Sequence, residues 1–352
     1  MTANDDPGSR VRALAARAFG VEPGAVAIEP LRAGLGARRF FRARALGTSA
    51  PRTAIARVDM PEDPALRPAG VAPEPPLEPI RALLESRGLP VPRRLAHERG
   101  IELLEDAGDL TLERVAREAP AHERRALYAR ACAIAAELQR VARAPGVAAF
   151  ERRLDRALFA YKADQVATWL LPAAFGRAAT AAERAVVDRA FDEVADRALA
   201  APQRLAHRDF KAQNLHVVDR GAGAELVLID LQGAFLAPPE YDLVCLLRDL
   251  HVALADEEID EQLARVRPQL PDAPSEAELR ERFDLLTLSR VGKDTARFVW
   301  AVRERGDERY RAYVPNGVRS LQRAAAALAT RSPALADLAE LAARIPESPC
   351  AR

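Results

Sequence analysis

Three oxygen-bearing side chains lie close together in one part of this chain: Asp209 and Asn214, with four residues between them, and Asp230 shortly after. Phosphoryl transfer from a nucleoside triphosphate needs a carboxylate that orients and deprotonates an acceptor hydroxyl. It also needs oxygen ligands that hold Mg²⁺ against the phosphates. Asp209 fits the first role, and Asn214 and Asp230 fit the second. The spacing from Asp209 to Asn214 is that of a loop carrying base and metal ligand together. In isolation, the pattern His207-x-Asp209-x4-Asn214 is equally explained by a buried histidine beside a capping aspartate. Asp230 at the end of an apolar run, followed by Glu240-Tyr241-Asp242-Leu243-Val244, weighs toward chemistry.

Such a constellation needs elements to hold it. Leu215, Val217 and Val218 follow the loop and residues 226–229 precede Asp230, which reads as two short strands joined by a turn at 219–223. Upstream, a helix is expected over 9–19 with Ser9 as its N-cap. Strands are expected over 25–31, 40–45 and 53–58, with Gly34 and Gly36 between the first two. A helix over 78–87 ends at Pro90-Val91-Pro92, and a strand follows over 101–104. From Ala121 onward helical periodicity takes over, at 121–141, 153–171, 181–200, 241–254, 275–305 and 314–343. The pattern predicts an α+β chain with a strand-rich N-terminal lobe, residues 1–105, and a mainly helical C-terminal lobe, residues 106–352.

Composition narrows the class. The chain has 352 residues, enough for two lobes, and 49% are hydrophobic. No apolar run approaches the ~18 residues of a membrane span. The acidic, polar start Met1-Thr2-Ala3-Asn4-Asp5-Asp6 lacks a secretion signal. Three cysteines, Cys132, Cys245 and Cys350, have neither disulfide parity nor metal spacing, so a cytoplasmic location is expected. A net charge of +1 gives no general attraction to nucleic acid or membrane. The Pro-rich stretch 68–79 reads as a surface connection.

The runs His207 to Asn214, Ile229-Asp230-Leu231-Gln232-Gly233-Ala234 and Pro238 to Asp249 together resemble the aminoglycoside phosphotransferase-like superfamily. Gln232 and the ending Tyr241-Asp242-Leu243-x-x-Leu246-Leu247-Arg248-Asp249 are similar to its bacterial branch of anomeric sugar kinases for N-acetylmuramate and N-acetylglucosamine. Further similarity is carried by Phe40-Phe41-Arg42 with Val58-Asp59-Met60-Pro61-Glu62, by Leu154 to Leu158 with Trp169, and by Arg282-Phe283-Asp284, Arg290 and Lys293. It spans about residue 20 to about residue 330. The resemblance implies a two-lobed protein-kinase-like fold with a small antiparallel N-terminal sheet, ATP and Mg²⁺ as cofactors, and a small-molecule acceptor, an amino sugar at its anomeric hydroxyl. Phosphorylation of an aminoglycoside or another small metabolite is the alternative within that chemistry. A pseudokinase that binds nucleotide without transfer is the alternative outside it.

The remaining site residues follow from both readings. Gly34 and Gly36 would let backbone amides approach phosphate, or simply form a hairpin turn. Kinases commonly set a strand lysine against the phosphates, yet the only lysines are Lys162, Lys211 and Lys293, none in the small lobe. Arg57 is the basic substitute, or else a solvent-facing residue of an edge strand. Glu78 is either its partner or a solvated carboxylate. Leu104 and Glu105, joining strand to large lobe, offer backbone groups to the adenine edge. His207 supports the loop, and Asp242 resembles the carboxylate that braces it. Lys211 contacts transferred phosphate or an anionic acceptor, or lies in solvent. The acceptor pocket is expected around Gln232 and the central helix with Tyr161, Asp164 and Trp169, where Lys162 replaces an acidic residue of the sugar-kinase pattern. A polycationic aminoglycoside would need a dense acidic pocket. The acids of 256–261 are the candidates, against the simpler reading of a solvated face.

Overall fold

A computed structural model describes residues 6–31, 38–47, 52–59, 75–219 and 223–350. Gly34 and Gly36 lie outside the described residues. The chain divides into two compact units. One comprises Met1–Glu74, Pro90–Asp109 and His216–Ile229, the other Pro75–Leu89, Leu110–Leu215 and Asp230–Arg352.

The first unit opens with α1 (Pro7–Phe19). Its N-cap is Asp6, whose carboxylate accepts the Ser9 backbone N–H at 3.0 Å. The cap thus falls three residues earlier than expected, because Pro7 fits the first helical turn, where no N–H is needed. Strands β1 (Val26–Leu31), β2 (Arg39–Ala45), β3 (Thr53–Val58), β4 (Arg94–Glu98) and β5 (Ile101–Glu105) form an antiparallel sheet in the order β1-β2-β3-β5-β4. Val11, Leu14 and Phe19 of α1 pack with Ala43, Ala54, Ala56 and Leu103 of the sheet. The alanines keep the sheet surface low beneath the helix, and burial of these faces supplies the unit's driving force. Strand β4 is not foreseen by the sequence pattern. It is a sheet edge whose residues are exposed or half-buried, so no hydrophobic alternation marks it.

The second unit is built from α2 (Leu77–Ser86), α3 (Leu112–Glu118), α4 (Ala121–Leu138), α5 (Arg156–Gln165), α6 (Leu171–Phe175), α7 (Ala181–Ala200), α8 (Tyr241–Leu247), α9 (Asp256–Val266), α10 (Glu276–Arg305), α11 (Val314–Leu328) and α12 (Pro333–Ala343). Between α5 and α6 the chain winds one π-helical segment, Val166–Leu170. The long α10 starts in a capping box, Ser275 with Glu278. The helix expected over 314–343 is two helices, because Ser332 caps a new start at Pro333. The one expected over 241–254 ends at Leu247, which turns Asp249 back toward the loop before α8.

Two glycines set how closely the helices approach α10. A Cβ on Gly317 would stand 2.0 Å from Thr295 Oγ1, and one on Gly292 would stand 3.2 Å from Val166 Cγ2. At Gly317 only a residue without a side chain lets α11 pack against α10, and at Gly292 the π segment is in tight contact.

Candidate active site

Strands β6 (Arg204–Ala206) and β9 (Phe235–Ala237) pair antiparallel in the second unit. The chain leaves β6 into residues 207–214 and continues into the hairpin of β7 (Leu215–Asp219) and β8 (Ala224–Leu228). Two short strands are therefore found where the apolar runs predict them.

Asp209 is one-third exposed. Its carboxylate accepts from Arg290 at 2.8 Å and lies 3.1 Å from the Lys211 amine. Burial opposes ionisation, but Arg290 and Lys211 outweigh it and hold the carboxyl well below the ordinary aspartate range. Lys211 shows the converse. Burial depresses its amine, and Asp209 overrides that and raises it. Asn214 is fixed by its own amide, which donates to the Asp209 carbonyl at 2.9 Å and leaves its side-chain oxygen free of that bond. Asp209, Lys211 and Asn214 are further tied by backbone bonds, Lys211 N–H to Asp209 O and Asn214 N–H to Lys211 O, both 2.9 Å.

The loop rests on two buried carboxylates. Asp242 accepts the backbone N–H of His207 at 2.6 Å and of Arg208 at 3.0 Å. Arg208 has φ of 80°, a left-handed turn that these bonds help to hold. His207 is 2% exposed, its ring edge-on to Phe210. Asp249 accepts the Ala212 N–H at 3.0 Å and His251 Nδ1 at 2.9 Å, so it anchors the turn that presents Asn214. Nothing in the spacing of Asp249 marks it for this task.

Asp230 also has a left-handed backbone, φ 66°, uncommon for a non-glycine residue. Gln232 donates to one of its oxygens, Oδ1, at 2.6 Å. Asn214 and Asp230 thus offer hard oxygen donors. No cluster of three or more histidine, cysteine or acidic ligands occurs among the described residues. A donor set of that kind suits Mg²⁺ completed by phosphate oxygens and water.

The acceptor-side expectations divide. Lys162 is buried, whereas its neighbours Tyr161 and Asp164 are exposed, Asp164 pairing with Arg184 at 3.2 Å. Trp169 sits in the π segment, half-buried and edge-on to Trp300 at 6.5 Å. Four of the five acids over 256–261 are taken up by arginines, Asp256 by Arg248 at 3.0 Å, Glu258 by Arg124 at 2.5 Å, Asp260 by Arg280 at 2.5 Å, and Glu261 by Arg265 at 3.1 Å, while Glu257 is exposed. They do not form a dense free acidic pocket.

In the first unit Arg57 is 5% exposed and paired with Glu102 at 2.7 Å and Asp59 at 2.9 Å, so it is not a solvent-facing residue. Its strand, β3, lies inside the sheet rather than at its edge. Glu78, in α2, holds Arg81 at 2.7 Å. Leu104 is buried in β5, and the Glu105 N–H donates to the Arg93 carbonyl at 2.8 Å. The Glu105 N–H is therefore already engaged. Arg42, which the sequence ties to the site only through a short resemblance, reaches the segment after β5. It pairs with Asp106 at 2.8 Å and Asp109 at 2.7 Å.

The sequence pattern of the phosphotransferase enzyme family matches residues 27–281. The chain is 29% identical to the N-acetylmuramate/N-acetylglucosamine kinase of Pseudomonas aeruginosa over 76% of this chain and 77% of that one. It is 26% identical to the protein of the same name from Neisseria meningitidis over 86% and 87%. Among solved structures, a microcompartment-associated aminopropanol kinase aligns with TM-score 0.56 at 17% identity, covering 90% of this chain and 97% of the other. The streptomycin–ATP ternary complex of the aminoglycoside phosphotransferase APH(2″)-IIa aligns with TM-score 0.51 at 15% identity, covering 92% and 97%. These structures share the kinase-like fold, a small antiparallel sheet with a mostly helical part.

Proposed function

The chain belongs to the phosphotransferase enzyme family and is a small-molecule phosphotransferase, and from that premise we propose that it moves the γ-phosphate of ATP to the anomeric hydroxyl of an amino sugar. The observation that carries this reading is Asp209, ionised between Arg290 and Lys211 with Asn214 fixed beside it. A carboxylate held that far below its ordinary range is a weak base. It orients a hydroxyl and takes its proton late, as charge moves to phosphate. A hemiacetal hydroxyl is more acidic than an ordinary alcohol, so it suits a weak base well. In this reading Asn214 and Asp230 hold Mg²⁺, which neutralises charge on the phosphates when bound. Lys211 and Arg290 stand beside Asp209 to meet the transferred group. Gln232 orients Asp230, and the Leu104–Glu105 backbone reads adenine.

Two relatives named for N-acetylmuramate and N-acetylglucosamine, each covering more than three-quarters of the chain, support the acceptor. The arginine-paired acids of α9 speak against a polycationic one. The test is phosphorus NMR of product after incubation with ATP, Mg²⁺ and a panel of N-acetylmuramate, N-acetylglucosamine, aminoglycosides and amino alcohols. A sugar 1-phosphate is the expected product. Turnover confined to aminoglycosides or amino alcohols would reassign the acceptor, and nucleotide binding without any product would make the chain a pseudokinase.

A further inference from the structure

Each of the chain's three lysines lies near Asp209 or behind it, and one is anomalous. Lys211 pairs with Asp209 and Lys293 pairs with Asp294. Lys162 is 5% exposed, and its amine has no hydrogen-bond partner. It stands 5.4 and 5.2 Å from the ring centres of Phe159 and Tyr241. From α10 it faces Arg290, Lys293 and Asp294, and from α8 Tyr241 and Cys245. Burial, then Lys293 and Arg290, push its pKa down to about 7. The acid that faces Lys162, Asp294, is already paired with both Arg290 and Lys293. Lys162 lacks an anion of its own.

The local backbone is specialised to hold this arrangement. The π segment begins at Val166, one turn after Lys162, and single π turns inside helices recur at functional sites. Gly292 lets α10 approach Val166, which brings the turn carrying Arg290 and Lys293 close to Lys162. Arg290 links the cluster to the chemistry, since it holds Asp294 at 2.9 Å and Asp209 at 2.8 Å.

We propose that Lys162 and Lys293 form a seat for a carboxylate of the acceptor, so that this enzyme selects an acidic amino sugar over a neutral one. The proposal rests on the amino-sugar reading above. A bound carboxylate supplies Lys162 with its counter-ion, restores its full charge, and fixes the sugar with its reactive hydroxyl at Asp209. The specificity comes from need on both sides, because a neutral acceptor leaves Lys162 buried and unpaired.

Three lysines make the test direct, because protein labelled at the lysine ε-carbon gives three carbon NMR signals, assigned with single Lys→Met variants. The probes are N-acetylmuramate, its methyl ester, N-acetylglucosamine and a non-hydrolysable ATP analogue, each added alone. The expected result is that the acid raises the titration midpoint of Lys162 by about two pH units or more, while the ester and the neutral sugar do not. A response only to the nucleotide would assign the anion to phosphate and overturn the seat, as would equal responses to acid and ester. In turnover, the wild-type ratio of kcat/KM for acid over ester should be roughly tenfold or more and should collapse toward one in Lys162→Met. A purely structural lysine would lower both acceptors alike and leave the ratio standing. If no sugar is phosphorylated, the functional reading fails, and the NMR titration still decides the seat by itself.

Discussion

Replacing Lys162 by methionine keeps the length of the side chain and removes its buried amine, and the structure sets the size and sign of the effect. The amine titrates at about 7 in the fold against an ordinary value of 10.5. Each unit of depression corresponds to ~1.4 kcal/mol, so at pH 7 the lysine costs the native state about 4 kcal/mol. The sign follows from proton counting. Between about pH 7 and 10.5 the unfolded chain binds a proton that the fold does not, so wild-type stability rises with pH across that window. Below about 7 the cost is complete, and by pH 10 it has shrunk to about 1 kcal/mol. Lys162→Met should therefore be more stable than wild type by about 4 kcal/mol at pH 7, with the gain fading steadily toward pH 10. Urea unfolding followed by circular dichroism at pH 7, 8, 9 and 10, without acceptor, measures it. A destabilised variant, or a gain that does not change with pH, would refute the claim that the amine is buried without a counter-ion.

Other expectations concern the loop and its supports. Arg290→Gln removes the cation that most lowers Asp209, so the acid limb of the kcat/KM profile should move up by about one to three pH units; an unmoved limb would separate Asp209 from that titration. Asp242→Ala leaves the His207 and Arg208 N–H groups unpaired inside the protein, at a cost of ~1–3 kcal/mol each. Turnover should fall with little change in melting of the first unit, and unchanged kcat would deny the bracing role. Gly317→Ala puts a methyl group against Thr295 and should destabilise by ~1–3 kcal/mol in thermal melts. A neutral result there would mean that α11 shifts freely along α10.

The catalytic segment was legible because its chemistry is local. Asp209, Lys211 and Asn214 belong to one turn, and the strands around them are marked by apolar runs and a glycine turn. What lay outside the pattern depends on distant residues. Arg290 reaches Asp209 across 81 positions in the sequence, and only a family likeness singled it out. Asp249 falls within a run whose pattern predicts helix, and its task follows from the end of α8 at Leu247. The direction of Lys162 was equally hidden. Its helix is Ala-rich and lies between other helices, so hydrophobic periodicity does not separate its inner face from its outer one, and the exposed Tyr161 and Asp164 read from sequence as pocket residues alongside it. The sequence leaves Arg57 poised between phosphate and solvent. Its burial against Glu102 follows from pairing of β3 with β5, which sequence spacing does not encode.

The central claim is that Asp209 is the group that receives the acceptor hydroxyl. The most direct measurement compares Asp209→Ala with wild type in two assays, calorimetric binding of a non-hydrolysable ATP analogue with Mg²⁺, and rapid-quench transfer of labelled phosphate to N-acetylmuramate. Nucleotide binding near the wild-type level and a transfer rate reduced by roughly 10² to 10⁴ are expected. Transfer at the wild-type rate in that variant would contradict the claim.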